Sequence, residues 1–163
     1  MDASGLAGFR KGLTALSTTA LDGCLKLSLY EGAKVIADQV RQNLQALPED
    51  RFRFLRGKDQ YNVVTREEKE DLLDALDVTA HKRVGESWTV KITFAGYGKR
   101  QHPTKAYPQG IPNPMIAASV ESGSSVRRKH PFIRPALAQA KAAAEAAMSA
   151  RFDEAVNKTM KAK

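Results

Sequence analysis

His81, His102 and His130, with the single cysteine Cys24, are the residues of this 163-residue chain best suited to nucleophilic, acid–base or metal chemistry. No two of the histidines stand at the i, i+4 or His-x-His spacing that aims two imidazole nitrogens at one ion. One thiol with scattered imidazoles is also a poor zinc ligand set. Cys24 falls beside an apolar helical stripe, where a thiol behaves as a small core residue. Glu67, Asp71 and Asp74 sit at helical spacing and would share one face, a grouping of the kind that holds Mg²⁺. Acidic groups also belong near the start of a helix because of its dipole, and a solvated face is the simpler reading. Ser122-Gly123-Ser124-Ser125 has neither the Gly-x-Ser-x-Gly elbow of a serine hydrolase nor the Gly-Lys-Ser/Thr of a phosphate loop. Gly96-Tyr97-Gly98 lacks the remainder of a dinucleotide-binding turn. These patterns predict a protein that is not an enzyme, with no cofactor and no metal. Arg51-Phe52-Arg53-Phe54-Leu55-Arg56 interleaves cations with aromatics, a composition that stacks bases and neutralises phosphates, and that reads equally as a docking arm or an exposed strand.

Charge is distributed unevenly. Lys and Arg number 26 against 18 Asp and Glu, for a net charge of +8. Residues 65–80 hold six acidic and two basic residues, whereas residues 96–135 hold seven basic and one acidic. A basic block of this kind meets phosphate, as in nucleic-acid binding, or meets the acidic block of an identical neighbour in a head-to-tail contact. Two solvated faces are the third reading.

The apolar pattern supplies the frame for these groups. Leu25, Leu29, Ala33, Ile36, Ala37, Val40, Leu44 and Leu47 recur every three or four residues, the stripe of a long helix that Pro48 ends. Phe9, Leu13, Leu16, Ala20 and Leu21 keep similar spacing upstream, interrupted by Ser17-Thr18-Thr19 and Gly23, so residues 1–24 are either a separate N-terminal helix or arm or the front of one kinked helix. Residues 48–64 read as a long loop. Thr65 and Glu68 have capping-box spacing and start a short acidic helix. Leu76 and Val78, a turn at Gly85-Glu86, and the alternation of Trp88, Val90, Ile92 and Phe94 with Thr89, Lys91 and Thr93 predict an antiparallel hairpin. Residues 96–114, with four prolines, form a second long loop. Met115–Val120 is a compact apolar run, followed by a turn and by Pro131-Phe132-Ile133-Arg134-Pro135, with Pro135 in the first turn of a final helix. That helix carries Ile133, Leu137, Ala140, Ala144, Met148, Phe152 and Val156 on one side and ends in a frayed basic tail at 157–163.

The expected fold is therefore α+β, a small antiparallel β-sheet packed against a long N-terminal helix and a C-terminal helix, with long loops, in a single domain spanning 1–163. A chain of this length buries about 70% of its unfolded surface and needs no disulfide or structural metal. A lone cysteine fits a reducing compartment. The apolar stretches are too short or too interrupted by proline for a membrane span, and the first residues lack the pattern of a secretion signal.

In order along the chain, Leu-Leu-Asp-Ala-Leu-Asp-Val (72–78), Trp-Thr-Val-Lys-Ile-Thr-Phe-Ala-Gly-Tyr-Gly (88–98), Asn-Pro-Met-Ile-Ala (113–117), Val-Glu-Ser-Gly-Ser-Ser (120–125) and His-Pro-Phe-Ile-Arg-Pro-Ala (130–136) resemble the head-tail joining, or tail-completion, minor tail proteins of long-tailed bacteriophages. The resemblance covers roughly residues 25–150; the turn and Pro-Phe-Ile-Arg-Pro segment are its most specific part, and the 48–64 loop departs from it. It implies a structural subunit without an active site, made in the host bacterial cytoplasm and carried in the virion neck. There it would assemble with itself into a ring, a hexamer, between the head-closure or connector proteins and the tail-terminator or tail-tube proteins, with no membrane involved. Glu121 and Gly123 would form the turn, and Pro131, Phe132 and Pro135 would lead the last helix onto the sheet. Opposite charges on Asp71, Asp74 and Asp77 and on Arg127, Arg128 and Lys129 offer the heterologous contact a ring requires. Lys99, Arg100 and Lys105 are the basic residues placed to face passing DNA, whose phosphates bind cations without sequence preference. Two other readings stay open: a tail-terminator ring protein, and a basic nucleic-acid-binding module using the basic block and the Arg-Phe segment.

Overall fold

The computed structural model describes residues 18–50, 61–85, 87–99 and 105–161. Phe9, Leu13 and Leu16, the Arg51–Arg56 segment, Arg100 and His102 lie outside the described residues. The described chain is α+β with a long helix toward each end, as expected. Its helices are α1 (Thr18–Ala46), α2 (Arg66–Ala75), α3 (Asn113–Ser122) and α4 (Ile133–Lys161). The strands are β1 (Glu49–Asp50), β2 (Val64–Thr65), β3 (Leu76–Val78), β4 (Lys82–Val84), β5 (Ser87–Thr89) and β6 (Ile92–Phe94). Residues 18–24 run continuously into α1, and α4 continues helical to Lys161 beyond the position where fraying was expected.

The chain divides into two compact units, residues 36–79 with 92–141, and residues 1–35 with 80–91 and 142–163. The first holds the main core: Val40 and Leu44 of α1, Val64 of β2, Leu72 of α2, Val120 of α3 and Phe132 are essentially fully buried. Removing each such side chain from water contributes about 1.5–3 kcal/mol. The Phe132 ring meets Phe94 of β6 edge-on at 5.9 Å. The 115–120 run forms part of α3, with Ile116, Ala117 and Val120 buried on one face and Pro114 tolerated in the first turn. In the second unit, α1 and α4 approach closely at Gly32, where a Cβ would stand 2.4 Å from Met148 Cγ and 3.4 Å from the Ala144 carbonyl.

Both long helices are rotated from the stripes that hydrophobicity suggests. The buried positions of α1 in its first half are Cys24, Ser28 and Gly32, while Leu25 is 42% exposed. The buried line of α4 is Ala136, Ala140 and Ala144, while Leu137 is 54% exposed. Small residues line the sides where backbones come together, because a Cβ or less leaves room for the facing helix.

The expected hairpin is present as two antiparallel ladders, Leu76 opposite Phe94 to Val78 opposite Ile92, and Lys82 opposite Thr89 to Val84 opposite Ser87, with Gly85 at φ +60° in the turn. Residues 79–81 on one strand lie opposite residues 90–91 on the other, the two-against-one excess of a β-bulge, and this interrupts the strict alternation read from Trp88 to Phe94. A third ladder was not expected: β1 and β2 pair in parallel, Glu49 with Val64 and Asp50 with Thr65. The Asp50 carboxylate accepts hydrogen bonds from the Asn62 and Val63 backbone N–H groups at 3.3 and 3.0 Å.

Candidate functional site

The residues singled out from sequence concentrate between α2 and the start of α4. Thr65 caps α2 as its spacing predicts: its Oγ1 accepts from the Glu68 N–H at 3.3 Å, and Glu68 Oε2 accepts from the Thr65 N–H at 3.0 Å. The other Glu68 oxygen receives Arg127 Nη2 at 2.6 Å. Arg127 is 4% exposed. Its Nε donates to Ser119 Oγ at 3.1 Å, its Nη1 donates to the Val63 carbonyl, and its guanidinium lies 4.8 Å from the centre of the Tyr61 ring. Beside it the Tyr61 N–H donates to the Val126 carbonyl and the Arg128 N–H to the Tyr61 carbonyl, at 2.9 and 3.0 Å. The guanidinium thus clasps the returning end of the 48–64 loop to the turn after α3.

This geometry corrects the proposed charge contact between copies. Arg127 is an internal strut, its charge already paired with Glu68, and Asp71 is 3% exposed and engaged within the chain. Burial removes both from any surface. Asp74, Asp77, Arg128 and Lys129 are exposed.

Glu121 does more than form a turn. It is buried, and its carboxylate accepts from three successive backbone N–H groups at the start of α4, those of Phe132, Ile133 and Arg134, at 2.7, 2.8 and 3.1 Å. A helix N-terminus leaves such donors unpaired and carries partial positive charge, so a carboxylate is the matching partner. Burial pushes the Glu121 carboxyl up, but the three N–H bonds and the Arg134 charge outweigh it and hold the group below its ordinary value of 4.5. Pro131 and Pro135 bracket this segment and Phe132 plugs the core. Gly123 ends α3 at φ +79°, ψ 168°, a conformation essentially reserved for glycine, and a Cβ there would sit 3.3 Å from Lys129 Cβ. Gly123→Ala is therefore expected to destabilise the protein by about 1–3 kcal/mol, read as a lowered melting temperature in calorimetry.

Asp71, Asp74 and Asp77 line one side of a pocket of about 440 Å³. Ala75, Leu76, Ala95, Gly96, Tyr97, Lys99 and Asn113 complete it. Lys99, expected to face DNA, therefore stands among carboxylates that offset its charge for phosphate. Lys105 is exposed. Asn113, which sequence reasoning did not single out, donates its amide N–H to the Ala95 carbonyl at 2.9 Å, while its own backbone N–H donates to the Gly96 carbonyl at 3.0 Å. Only its position just inside a proline-flanked helix start hints at such a role.

Of the histidines, His81 Nε2 stands 2.6 Å from the Lys26 carbonyl, an atom that can only accept, so this nitrogen carries the proton. Its ring tilts against Tyr30 at 6.0 Å, and both contacts fix it as a structural residue. His130 is tied through its backbone N–H to the Val120 carbonyl at 2.8 Å. Cys24 is buried on α1. Among the described residues no three His, Cys, Asp or Glu side chains converge as a metal site, and no helix is long and apolar enough to cross a membrane. Comparison of the chain with known protein families, with curated proteins and with solved structures finds no match.

Proposed function

We propose that this chain is a structural subunit of the neck of a long-tailed bacteriophage, a tail-completion or head-tail joining protein that acts by assembly rather than catalysis. In this reading it forms a ring with copies of itself, six in number, between the head connector and the tail tube. It is made in the bacterial cytoplasm and retained in the virion.

One observation supports the reading most directly. The segment with the most specific resemblance, 120–136, is spent entirely on building a rigid joint: Glu121 caps α4, Gly123 makes the turn, and Phe132 fills the core. A family whose shared residues hold shape rather than reactive groups is a family of building blocks. The exposed charges that remain, acidic at Asp74 and Asp77 and basic at Arg128 and Lys129, suit contacts between neighbours.

The test is electron microscopy of lysates from a phage in which this gene is interrupted early, with the intact gene supplied in trans. Filled heads beside separate tails, rejoined by complementation, are expected. Tails of abnormal length would transfer the assignment to a tail terminator. Complete virions without the protein would overturn the neck reading and favour a basic nucleic-acid-binding module, for which DNA binding by the purified chain should fall steeply with salt.

A further inference from the structure

Asn113 is 3% exposed, and its Oδ1 has no hydrogen-bond partner. A buried carbonyl oxygen left without a donor is costly, and native chains leave very few. This one belongs to the lining of the pocket walled by Asp71, Asp74 and Asp77. Carboxylates cannot supply the missing donor; a cation with N–H groups can.

Three further features select the same ligand. The pocket holds the C-terminal end of α2 through Asp74, Ala75 and Leu76, where the helix dipole is negative, and α2 has no basic residue in its last turn to answer it. The remaining walls include Ala75, Ala95 and the 47% exposed ring of Tyr97, suited to a methylene stem and to a cation over an aromatic face. The volume of about 440 Å³ exceeds what one bare ion fills, and no three acidic side chains among the described residues converge on an ion. These are the parts of a receptor for a lysine or arginine side chain.

We infer that the Asn113 pocket receives a cationic side chain from the Arg128–Lys129 turn of a second copy of this chain. The turn is a rigid presenter. Arg127 anchors it from within, and the Ser124 N–H to Arg127 carbonyl bond closes it at 2.9 Å. Arg128 and Lys129 are both exposed, and among the described residues neither side chain has a hydrogen-bond or ion-pair partner. A stem in the pocket and a head on Asn113 Oδ1 and the carboxylates satisfy the orphan oxygen and neutralise the acidic wall in one contact. The inference rests on the reading of the chain as an assembly subunit.

The test uses the full-length protein, an equal mixture of light and ¹⁵N-labelled chains, and a zero-length carbodiimide that joins carboxylates to lysine amines. Adducts of Lys129 with Asp74 or Asp77 carrying one light and one heavy peptide are expected. In sedimentation, Arg128→Glu with Lys129→Glu, and separately Asp74→Lys with Asp77→Lys, should each weaken self-association by about tenfold or more, and their combination should recover most of the loss. All four positions are exposed, so the melting temperature should change little. Adducts confined to one chain or to Lys99, reversals without effect on association, or a chain that stays monomeric up to about 1 mM would each overturn the inference. Reversals that do nothing, in a protein whose loss still separates heads from tails, remove this contact and leave the neck reading. Reversals that abolish association, in a phage whose virions form without the protein, do the opposite.

Discussion

Replacing Arg127 with methionine should lower the free energy of unfolding by about 3–5 kcal/mol, the range found when one member of a buried ion pair is removed. The guanidinium is enclosed, and its loss leaves the Glu68 carboxylate buried with a charge unpaired, the Val63 carbonyl without its donor, and the Tyr61 ring without its cation. Arg127→Lys should recover little, since an ammonium cannot reach Ser119, Val63 and Glu68 together from one planar fork. Adding Glu68→Gln to Arg127→Met should restore part of the stability by removing the stranded charge. Urea unfolding followed by fluorescence reads all three variants. A loss under about 1 kcal/mol for Arg127→Met, where surface substitutions fall, would show that the clasp is not a strut. Amide exchange adds a local readout: the Tyr61 and Arg128 N–H groups, paired across the clasp, should exchange faster in the variant.

Glu121→Gln should remove about 2–3 kcal/mol at neutral pH, because hydrogen bonds to a charged acceptor are worth about 1.5–3 kcal/mol. Its pH dependence distinguishes it from any other core defect. The folded protein holds this carboxyl below its ordinary value of 4.5, so its contribution is fully present above that value and disappears as the pH falls through the lower, folded one. Stability curves of wild type and variant should therefore lie apart at pH 7 and converge on acidification below 4.5. A gap that stays constant with pH would mean that the carboxylate charge contributes nothing at the α4 start.

What sequence reveals of this molecule follows from how local each device is. The capping box is four residues long, and both of its hydrogen bonds form as its spacing requires. Gly123 announces itself because a turn between a helix and Pro131 needs a backbone that only glycine adopts easily. The partnership of Glu68 with Arg127 spans 59 residues and leaves no local trace, so Arg127 reads as one more surface cation in a basic run. Helix phase is obscured for a different reason. Hydropathy ranks Leu25 and Leu137 above Cys24 and Ala136, yet closely packed helices select side chains by size as well as by polarity, and the small residues go inside. Asn113 escapes notice because an amide inside a proline-flanked segment looks like loop chemistry until its burial is known.

The Asp50 carboxylate makes the long loop an exchangeable cassette. Departure at Asp50 and return at Asn62 and Val63 are joined by that side chain's own hydrogen bonds, with the β1–β2 ladder beside them, so the two posts hold each other whatever lies between. Chain length in such a closed span enters stability only logarithmically, about 0.6 kcal/mol for each doubling. The ten residues at 51–60 can therefore be lengthened, shortened or rewritten with small effect on the core, leaving that stretch free to diverge to match whatever neighbour each lineage must fit.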